Sequence, residues 1–101
     1  MLELNESNYD ATVKKGIAII DFWAPWCGPC KKMTPVIEKI AKDHPQYIVG
    51  KVDIDQAPSI ASRYNVMSIP TIIILKDGNP VEQTVGLVSE KVILEKLNTV
   101  L

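Results

Sequence analysis

The sequence has little cysteine, histidine or aromatic content, and it has no long apolar run. It contains two cysteines and a single histidine, His44, whereas a structural zinc site needs four nitrogen or sulfur ligands. The longest apolar runs, Ile17–Ile20 and Ile72–Leu75, are far shorter than the roughly 20 residues that a membrane-spanning helix needs. We therefore expect no metal site and no membrane span.

Excess charge of either sign is also absent. The chain has 11 lysines and arginines against 12 acidic residues, for a net charge of −1. A nucleic-acid surface needs clustered lysine and arginine, so no nucleic-acid partner is expected. The N-terminus lacks a basic region followed by an apolar one, so we expect no secretory signal and predict a cytoplasmic location, where thiols are kept reduced.

The length of 101 residues predicts one domain over residues 1–101, and 47% apolar residues suffice for a core. The apolar pattern alternates between the strand and helix periods. It predicts strands over Ile17–Trp23, Tyr47–Ile54, Thr71–Leu75 and Pro80–Val85, and helices over Ser7–Lys15, Lys31–Asp43, from Pro58 to near Asn65, and after Ser89. A short strand over Leu2–Leu4 is compatible with the pattern.

This order predicts an α/β fold with a mixed sheet and helices on both faces. Ile17–Trp23 is apolar on both sides, as in a central strand. Asp77-Gly78 favours a hairpin turn between the last two strands. Pro35 lies inside the longest helix and should kink it. The expected buried stripes of the two longest helices are Met33, Val36, Ile37, Ile40 and Ala41, and Ile93, Leu97, Val100 and Leu101.

The two cysteines lie three positions apart in the segment Trp26-Cys27-Gly28-Pro29-Cys30, between a predicted strand and a predicted helix. The start of a helix is electropositive because its first N–H groups are unpaired. A thiol there loses its proton more readily, and the thiolate is the reactive form. The segment therefore predicts a dithiol–disulfide exchange site, with Cys27 as the nucleophile nearest solvent and Cys30 as the partly buried resolving thiol.

The residues between the cysteines fit this role. Gly28 places no side chain between the sulfur atoms, and Pro29 suits the first turn of a helix. A structural disulfide is a weaker interpretation, because closing a ring of four residues contributes only about 2 kcal/mol, against about 4.7 kcal/mol for a loop of about 100 residues. Two unrelated buried cysteines are a second alternative, which the Gly-Pro insert and the helix start disfavour.

Asp21 interrupts the otherwise apolar strand Ile17–Trp23. A buried carboxylate is unfavourable unless it is paired or protonated, and burial raises its pKa. We expect a buried acid beneath the sulfur atoms that exchanges a proton with Cys30; the alternative is a solvated residue at a frayed edge. Lys51 in the next strand is either a partner of Asp21 or a lysine on an exposed strand face, since its long stem reaches water from both places.

The segment from Asp21 to Lys31 resembles the signature of the thioredoxin family. Further matches occur in family order and at family spacing at Lys51–Asp55, Ile69-Pro70-Thr71, Lys76–Gly78 and Val85-Gly86. The resemblance covers essentially the whole chain. It implies a thioredoxin fold, a central mixed sheet of four to five strands flanked by helices on both faces, and activity as a general protein disulfide reductase.

The resemblance also implies roles for particular residues. Pro70 would follow a cis peptide bond and lie against the disulfide, and Lys51 would modulate the buried acid Asp21. Trp23 and Pro35 would be structural residues near the site. The backbone of Ile69 would pair with an extended substrate segment. The apolar docking surface would consist of Trp26, Gly28, Ile69, Gly86 and Leu87.

The resemblance implies no bound cofactor. Electrons would come from NADPH through thioredoxin reductase, and the substrates would include ribonucleotide reductase, methionine sulfoxide reductases and peroxiredoxins. We expect a monomer. Two alternatives stay open: a thioredoxin-like subunit that docks on a larger enzyme, and a periplasmic or pathway-specific relay. The intact cysteine pair, Asp21 and the absence of an export signal favour the general reductase.

Departures from the family pattern are small. Ser68 stands where some members have glycine, which bears on partner choice. The N-terminus is short for a first strand, which puts that edge strand in doubt. Gly28-Pro29 is similar to reducing members of the superfamily, because oxidising members tend to have histidine before the second cysteine, where it stabilises the thiolate.

Overall fold

The computed structural model describes residues 1–101 and contains five strands and four helices. The predicted order of elements is confirmed, and the doubtful first strand is present. The strands are β1 (Leu2–Leu4), β2 (Ile17–Trp23), β3 (Ile48–Asp53), β4 (Thr71–Lys76) and β5 (Asn79–Val85), and the helices are α1 (Tyr9–Val13), α2 (Gly28–Asp43), α3 (Pro58–Arg63) and α4 (Glu90–Asn98).

The five strands form one mixed sheet in the order β1-β3-β2-β4-β5. β3 pairs in parallel with β1 and β2, while β4 pairs antiparallel with β2 and with β5. β2 is therefore the central strand, which explains why its sequence is apolar on both sides. Its C-terminal end leads directly toward the cysteines.

Two apolar clusters cover the two faces of the sheet, as the prediction of helices on both faces requires. On one face, Phe22 and its neighbours pack against Tyr9 of α1 and Ile60 of α3. On the other face, Ile19 packs with Met33 of α2 and with residues of α4. The remaining buried side chains of α2 and α4 in this second cluster are Ile37, Ile40, Ile93 and Leu97.

The boundaries of the helices differ from the prediction: α2 begins at Gly28 rather than Lys31, and α3 ends at Arg63 rather than near Asn65. α1 begins at Tyr9 rather than Ser7, because Asn5 Oδ1 accepts hydrogen bonds from the backbone N–H groups of Ser7 and Asn8 at 2.9 and 3.0 Å. Such side-chain bonds hold a turn in competition with a helix. α4 ends at Asn98, so the predicted burial of Leu101 is wrong: this side chain is 61% exposed.

The hairpin between β4 and β5 turns as predicted at Asp77-Gly78. Both residues have positive φ angles, +50° and +84°, a conformation that glycine adopts without steric cost. Asp77 also accepts a hydrogen bond from the backbone N–H of Gly16 at 2.8 Å, which ties this turn to the start of β2. No helix of the structure is both long enough and apolar enough to cross a membrane.

Candidate active site

The cysteine pair lies where β2 passes into α2, and it is oxidised to a disulfide. Cys27 is the N-cap residue of α2, with extended backbone angles of φ −92° and ψ 109°. Its Sγ atom accepts a hydrogen bond from the backbone N–H of Cys30 at 3.2 Å. A sulfur atom therefore takes the place of the oxygen that usually caps a helix, as expected for a cysteine at the helix start.

The capping position favours negative charge on Cys27 once the disulfide is reduced. The unpaired N–H groups and the dipole of α2 stabilise an anion at this end of the helix, and the Cys30 N–H already points at the sulfur atom. The first turn of α2 contains no acidic residue that would oppose this effect. These groups are directed at Cys27 Sγ, whereas Cys30 lies within the first turn of α2.

Both cysteines are more enclosed than predicted. Cys27 is 6% exposed and Cys30 is 1% exposed. Cys27 is thus the more exposed of the two, as predicted, but only a small part of its surface contacts solvent. The carbonyl oxygen of Ile69 lies 3.9 Å from Cys27 Sγ, and Trp23 and Ile69 pack against the cluster of Ala24 and the two cysteines. A disulfide substrate must therefore reach Cys27 from one side.

Asp21 is buried on the central strand, with 1% of its surface exposed. This excludes the interpretation of Asp21 as a solvated residue at a frayed edge. Burial raises its pKa from about 3.8 to about 7, and the positive charge of Lys51 opposes part of that rise. Oδ1 has no hydrogen-bond partner within the protein. Asp21 thus has a carboxyl group that can bind or release a proton near neutral pH.

Lys51 lies beside Asp21 because these residues are cross-strand neighbours on β2 and β3, and Glu3 of β1 is the neighbour of Lys51 on the other side. Lys51 Nζ lies 3.4 Å from Glu3 Oε1 and 4.8 Å from the centroid of the Trp23 ring. It forms no ion pair with Asp21. Each interpretation of Lys51 is therefore partly correct. Lys51 is half-buried, and its positive charge lowers the pKa of Asp21. Its ammonium group, however, contacts Glu3 and the ring of Trp23.

A shallow groove runs beside the disulfide and is called the docking groove below. The Ile69–Pro70 peptide bond in its wall is cis, the geometry that the resemblance implies. The backbone N–H of Gly86 donates to the carbonyl oxygen of Pro70 at 2.8 Å, and the φ angle of Gly86 is +89°. The residues that line the docking groove are Gly28, Pro29, Lys32, Ile69, Pro70, Gly86 and Leu87.

Two residues implied by the resemblance are not among the residues that line this groove. Trp26 is 67% exposed and outside the lining of the groove, and its Nε1 donates to Asp55 Oδ2 at 2.8 Å. Pro35 is exposed inside α2 and does not belong to the cluster around the cysteines. The remaining implied docking residues line the groove together.

Three residues that contact the site or line its groove were not predicted from the sequence. They are Glu3, Lys32 and Asp55. Asp55 belongs to a segment that matches the family, but nothing in its spacing indicates a bond to Trp26. Glu3 becomes a neighbour of Lys51 only through the register of β1 on β3. Lys32 belongs to a lysine pair that charge counting does not distinguish from an ordinary surface.

The reactive groups of the site are the sulfur atoms of Cys27 and Cys30. No group of three or more histidine, cysteine, aspartate or glutamate side chains is arranged to hold a metal ion. The structure contains a disulfide at a helix start, a buried acid on the strand that precedes it, and a groove lined by Gly28 and Pro29 of the same motif. This combination is suited to exchange between a dithiol and a disulfide.

Comparison with known proteins agrees with this chemistry. The family model described as thioredoxin matches residues 1–99. The chain is 41% identical over 99 residues to proteins named thioredoxin from Staphylococcus haemolyticus, Staphylococcus epidermidis and Staphylococcus aureus. Each of these alignments covers 97% of this chain and 95% of the relative.

Proposed function

Because the chain belongs to the thioredoxin family, we propose that it is a general protein disulfide reductase in which Cys27 attacks and Cys30 resolves. Family membership and the Cys27–Cys30 pair support dithiol–disulfide exchange and protein-disulfide oxidoreductase activity. The observation that carries the assignment of roles is that Cys27 Sγ caps α2. Residues 1–101 act as a single domain in this proposal.

The proposed reaction moves two electrons to the substrate. The Cys27 thiolate attacks one sulfur atom of the substrate disulfide, and the other substrate sulfur leaves as a thiolate that takes up a proton. Cys30 then loses its proton and attacks Cys27 Sγ, which breaks the mixed disulfide. The second substrate thiolate leaves and is protonated. The substrate disulfide has become two thiols, and Cys27 and Cys30 are again joined.

Asp21 is the proposed acceptor of the Cys30 proton. A general base works best when its pKa is close to the working pH, and burial raises the pKa of Asp21 to about 7. Its position on the strand that leads to α2 supports transfer to or from Cys30, directly or through one water molecule. Lys51 limits the rise in the Asp21 pKa and is therefore a positioning residue in this proposal.

The docking groove is the proposed binding site for an extended segment of the substrate. The carbonyl oxygen of Ile69 beside Cys27 Sγ supports pairing between the backbone of Ile69 and that segment. Gly28, Pro70, Gly86 and Leu87 supply the apolar wall, and exposed Trp26, which directly precedes Cys27 in the chain, is proposed to add to this surface. Such a surface recognises backbone and shape, which suits a reductase with many substrates.

Family membership implies thioredoxin reductase and disulfide-containing proteins as partners. We propose that NADPH supplies the electrons through that reductase, without a cofactor bound to this chain. Proposed substrates are ribonucleotide reductase, methionine sulfoxide reductases and peroxiredoxins. The proposed form is a monomer, and the proposed location is the cytoplasm, since a dithiol reductase needs a compartment that keeps thiols reduced.

Turnover with a model protein disulfide tests the proposed activity. The chain, NADPH and a bacterial thioredoxin reductase are mixed with insulin, and NADPH oxidation is followed by absorbance. We expect multiple turnovers with the wild type and none with Cys27→Ser. Failure of the wild type with this reductase is checked with dithiothreitol as the electron donor, and the rate is compared with the rate for dithiothreitol alone, which reduces insulin slowly by itself. No turnover with the reductase and no acceleration over dithiothreitol alone would refute the proposed function.

A trapping experiment tests the assignment of the two cysteines. We expect Cys30→Ser to accumulate covalent complexes through Cys27 when it is mixed with oxidised substrate, because the mixed disulfide cannot be resolved. Non-reducing electrophoresis followed by mass spectrometry identifies the bonded cysteine. Cys27→Ser is the matched control and should trap far less. Equal or greater trapping by Cys27→Ser would reverse the two roles.

A further inference from the structure

The docking groove has one charged side chain. Lys32 lines it together with six residues that have no ionisable side chain. Lys32 is exposed and takes part in none of the six ion pairs of the structure. Its positive charge is therefore available to a molecule that occupies the groove.

The position of this charge is not explained by the stability of α2. Lys32 is the fifth residue of α2, which begins at Gly28. A lysine favours the helix dipole only near the C-terminal end of a helix, so the dipole does not account for a lysine here. The chain as a whole has a net charge of −1, so the positive rim of the groove is a local feature and not a result of general basicity.

We propose that Lys32 favours substrates with an acidic residue next to their reactive cysteine. This inference rests on the proposed function, because it assumes that the substrate segment lies in the docking groove. An extended segment advances about 3.3 Å per residue, so the flexible lysine stem reaches side chains within the first few positions from the cysteine that contacts Cys27. A carboxylate there pairs with Lys32 while apolar neighbours pack on Ile69 and Leu87.

The expected discrimination is modest. An ion pair at an exposed site changes an association constant by about two- to fivefold. It should decline with ionic strength, because the Debye length falls to about 3 Å near 1 M salt. In this proposal the shape of the groove determines whether a substrate segment binds, and Lys32 changes the relative affinities of the segments that do bind.

Three synthetic peptides test the preference. They share one intramolecular disulfide and differ only in the residues that flank the first cysteine, which are glutamate, glutamine or lysine. The pre-reduced protein is mixed with each peptide, and the second-order rate constant is measured from the thiols formed, at low salt and near 1 M salt. The variants are Lys32→Met and Lys32→Glu, with Lys42→Met as the matched control at the far end of α2.

The ratio between peptides is the decisive quantity. Changes in the reactivity of Cys27 affect all three peptides alike and cancel in this ratio. We expect wild type and Lys42→Met to prefer the glutamate peptide over the glutamine peptide by about two- to fivefold, with the preference lost at high salt. We expect Lys32→Met to show no preference and Lys32→Glu to prefer the lysine peptide.

Two failures can be told apart. If the wild type reduces all three peptides at equal rates, or if Lys32→Met keeps the wild-type ratio, the role of Lys32 is refuted while the proposed function stands. If the wild type reduces none of the peptides and no insulin, the proposed function is refuted together with the preference.

Discussion

At the scale of single residues, Asp21 shows the strongest conflict between stability and chemistry. A carboxyl group on the central strand of an apolar sheet lowers stability whenever it is ionised. Lys51, its cross-strand neighbour, is directed to Glu3 and to the ring of Trp23, so Asp21 has no ion pair to compensate. The same lack of compensation holds its pKa near 7, the range that proton exchange at the cysteines needs.

This conflict predicts an unusual pH dependence of stability. The pKa of Asp21 is higher in the folded protein, about 7, than in the unfolded chain, so the folded state binds the extra proton between about pH 4 and pH 7. Stability therefore falls as the pH rises through that window. The shift corresponds to a loss of about 4 kcal/mol at pH 8 relative to pH 4. Asp21→Asn should lack this loss.

Urea unfolding of the oxidised proteins at pH 4 and pH 8 measures the effect. At each pH, the free energy of unfolding of Asp21→Asn is subtracted from that of the wild type, which removes the contributions of the other titrating groups. The change in this difference between pH 4 and pH 8 is then the effect of Asp21. Glu6→Gln, at an exposed carboxyl group without an ion pair, is the control and should follow the wild type. A wild-type-like pH profile for Asp21→Asn would refute the raised pKa.

At the scale of elements, helix starts define both the site and the packing around it. α2 is capped by the sulfur atom of Cys27, whereas α4 is capped by Ser89, whose Oγ accepts from the backbone N–H of Val92 at 3.3 Å. Lys39 of α2 bonds Glu90 in the first turn of α4 at 3.3 Å. The start of α4 thus contacts α2 through one exposed ion pair, while the apolar cluster that both helices share holds α2, and with it the cysteines, against the sheet.

Removal of the α4 cap should lower stability without changing the chemistry. We expect Ser89→Ala to destabilise the protein by about 1 kcal/mol, because one N–H group of the first turn loses its partner. Urea unfolding measures the loss, and the rate of insulin reduction should stay at the wild-type value. Ser62→Ala, an exposed site within α3, is the control, since alanine is favourable inside a helix. A loss of similar size at Ser62 would argue against the cap.

The sequence predicted elements well where one local pattern decides the outcome. The apolar run of β2, the stripe of α2 and the Asp77-Gly78 turn each act within a few residues. Part of the site was predictable as well, because Asp21 and the two cysteines are close in sequence and lie on consecutive elements. The ion pair of Lys51 with Glu3 and the bond from Trp26 to Asp55 were not predictable, because they depend on strand register and loop approach over 48 and 29 positions.

At the scale of the whole molecule, stability comes mainly from the two apolar clusters, and the disulfide adds a smaller part. The clusters cover both faces of a five-stranded sheet, whereas the disulfide spans three positions. A ring that small restrains the unfolded chain only slightly. The fold should therefore persist through each catalytic cycle, in which the disulfide is repeatedly broken and reformed.

Reduction should accordingly weaken the protein by only about 2 kcal/mol. Urea unfolding followed by circular dichroism, with and without dithiothreitol, measures the difference. The double variant Cys27→Ser/Cys30→Ser is the control and should show no effect of the reductant. Complete unfolding on reduction would mean that the disulfide is structural, contrary to the proposed function.

The two outer strands of the sheet differ from the inner ones in a way that bears on aggregation. β1 has three residues, and β5 contains Pro80 near its start and shows a register shift against β4. Short edges, edge prolines and irregular register are features that prevent strands of different molecules from pairing. Concentrated samples and samples cooled after heating should therefore resist the stacking of sheets into fibrils.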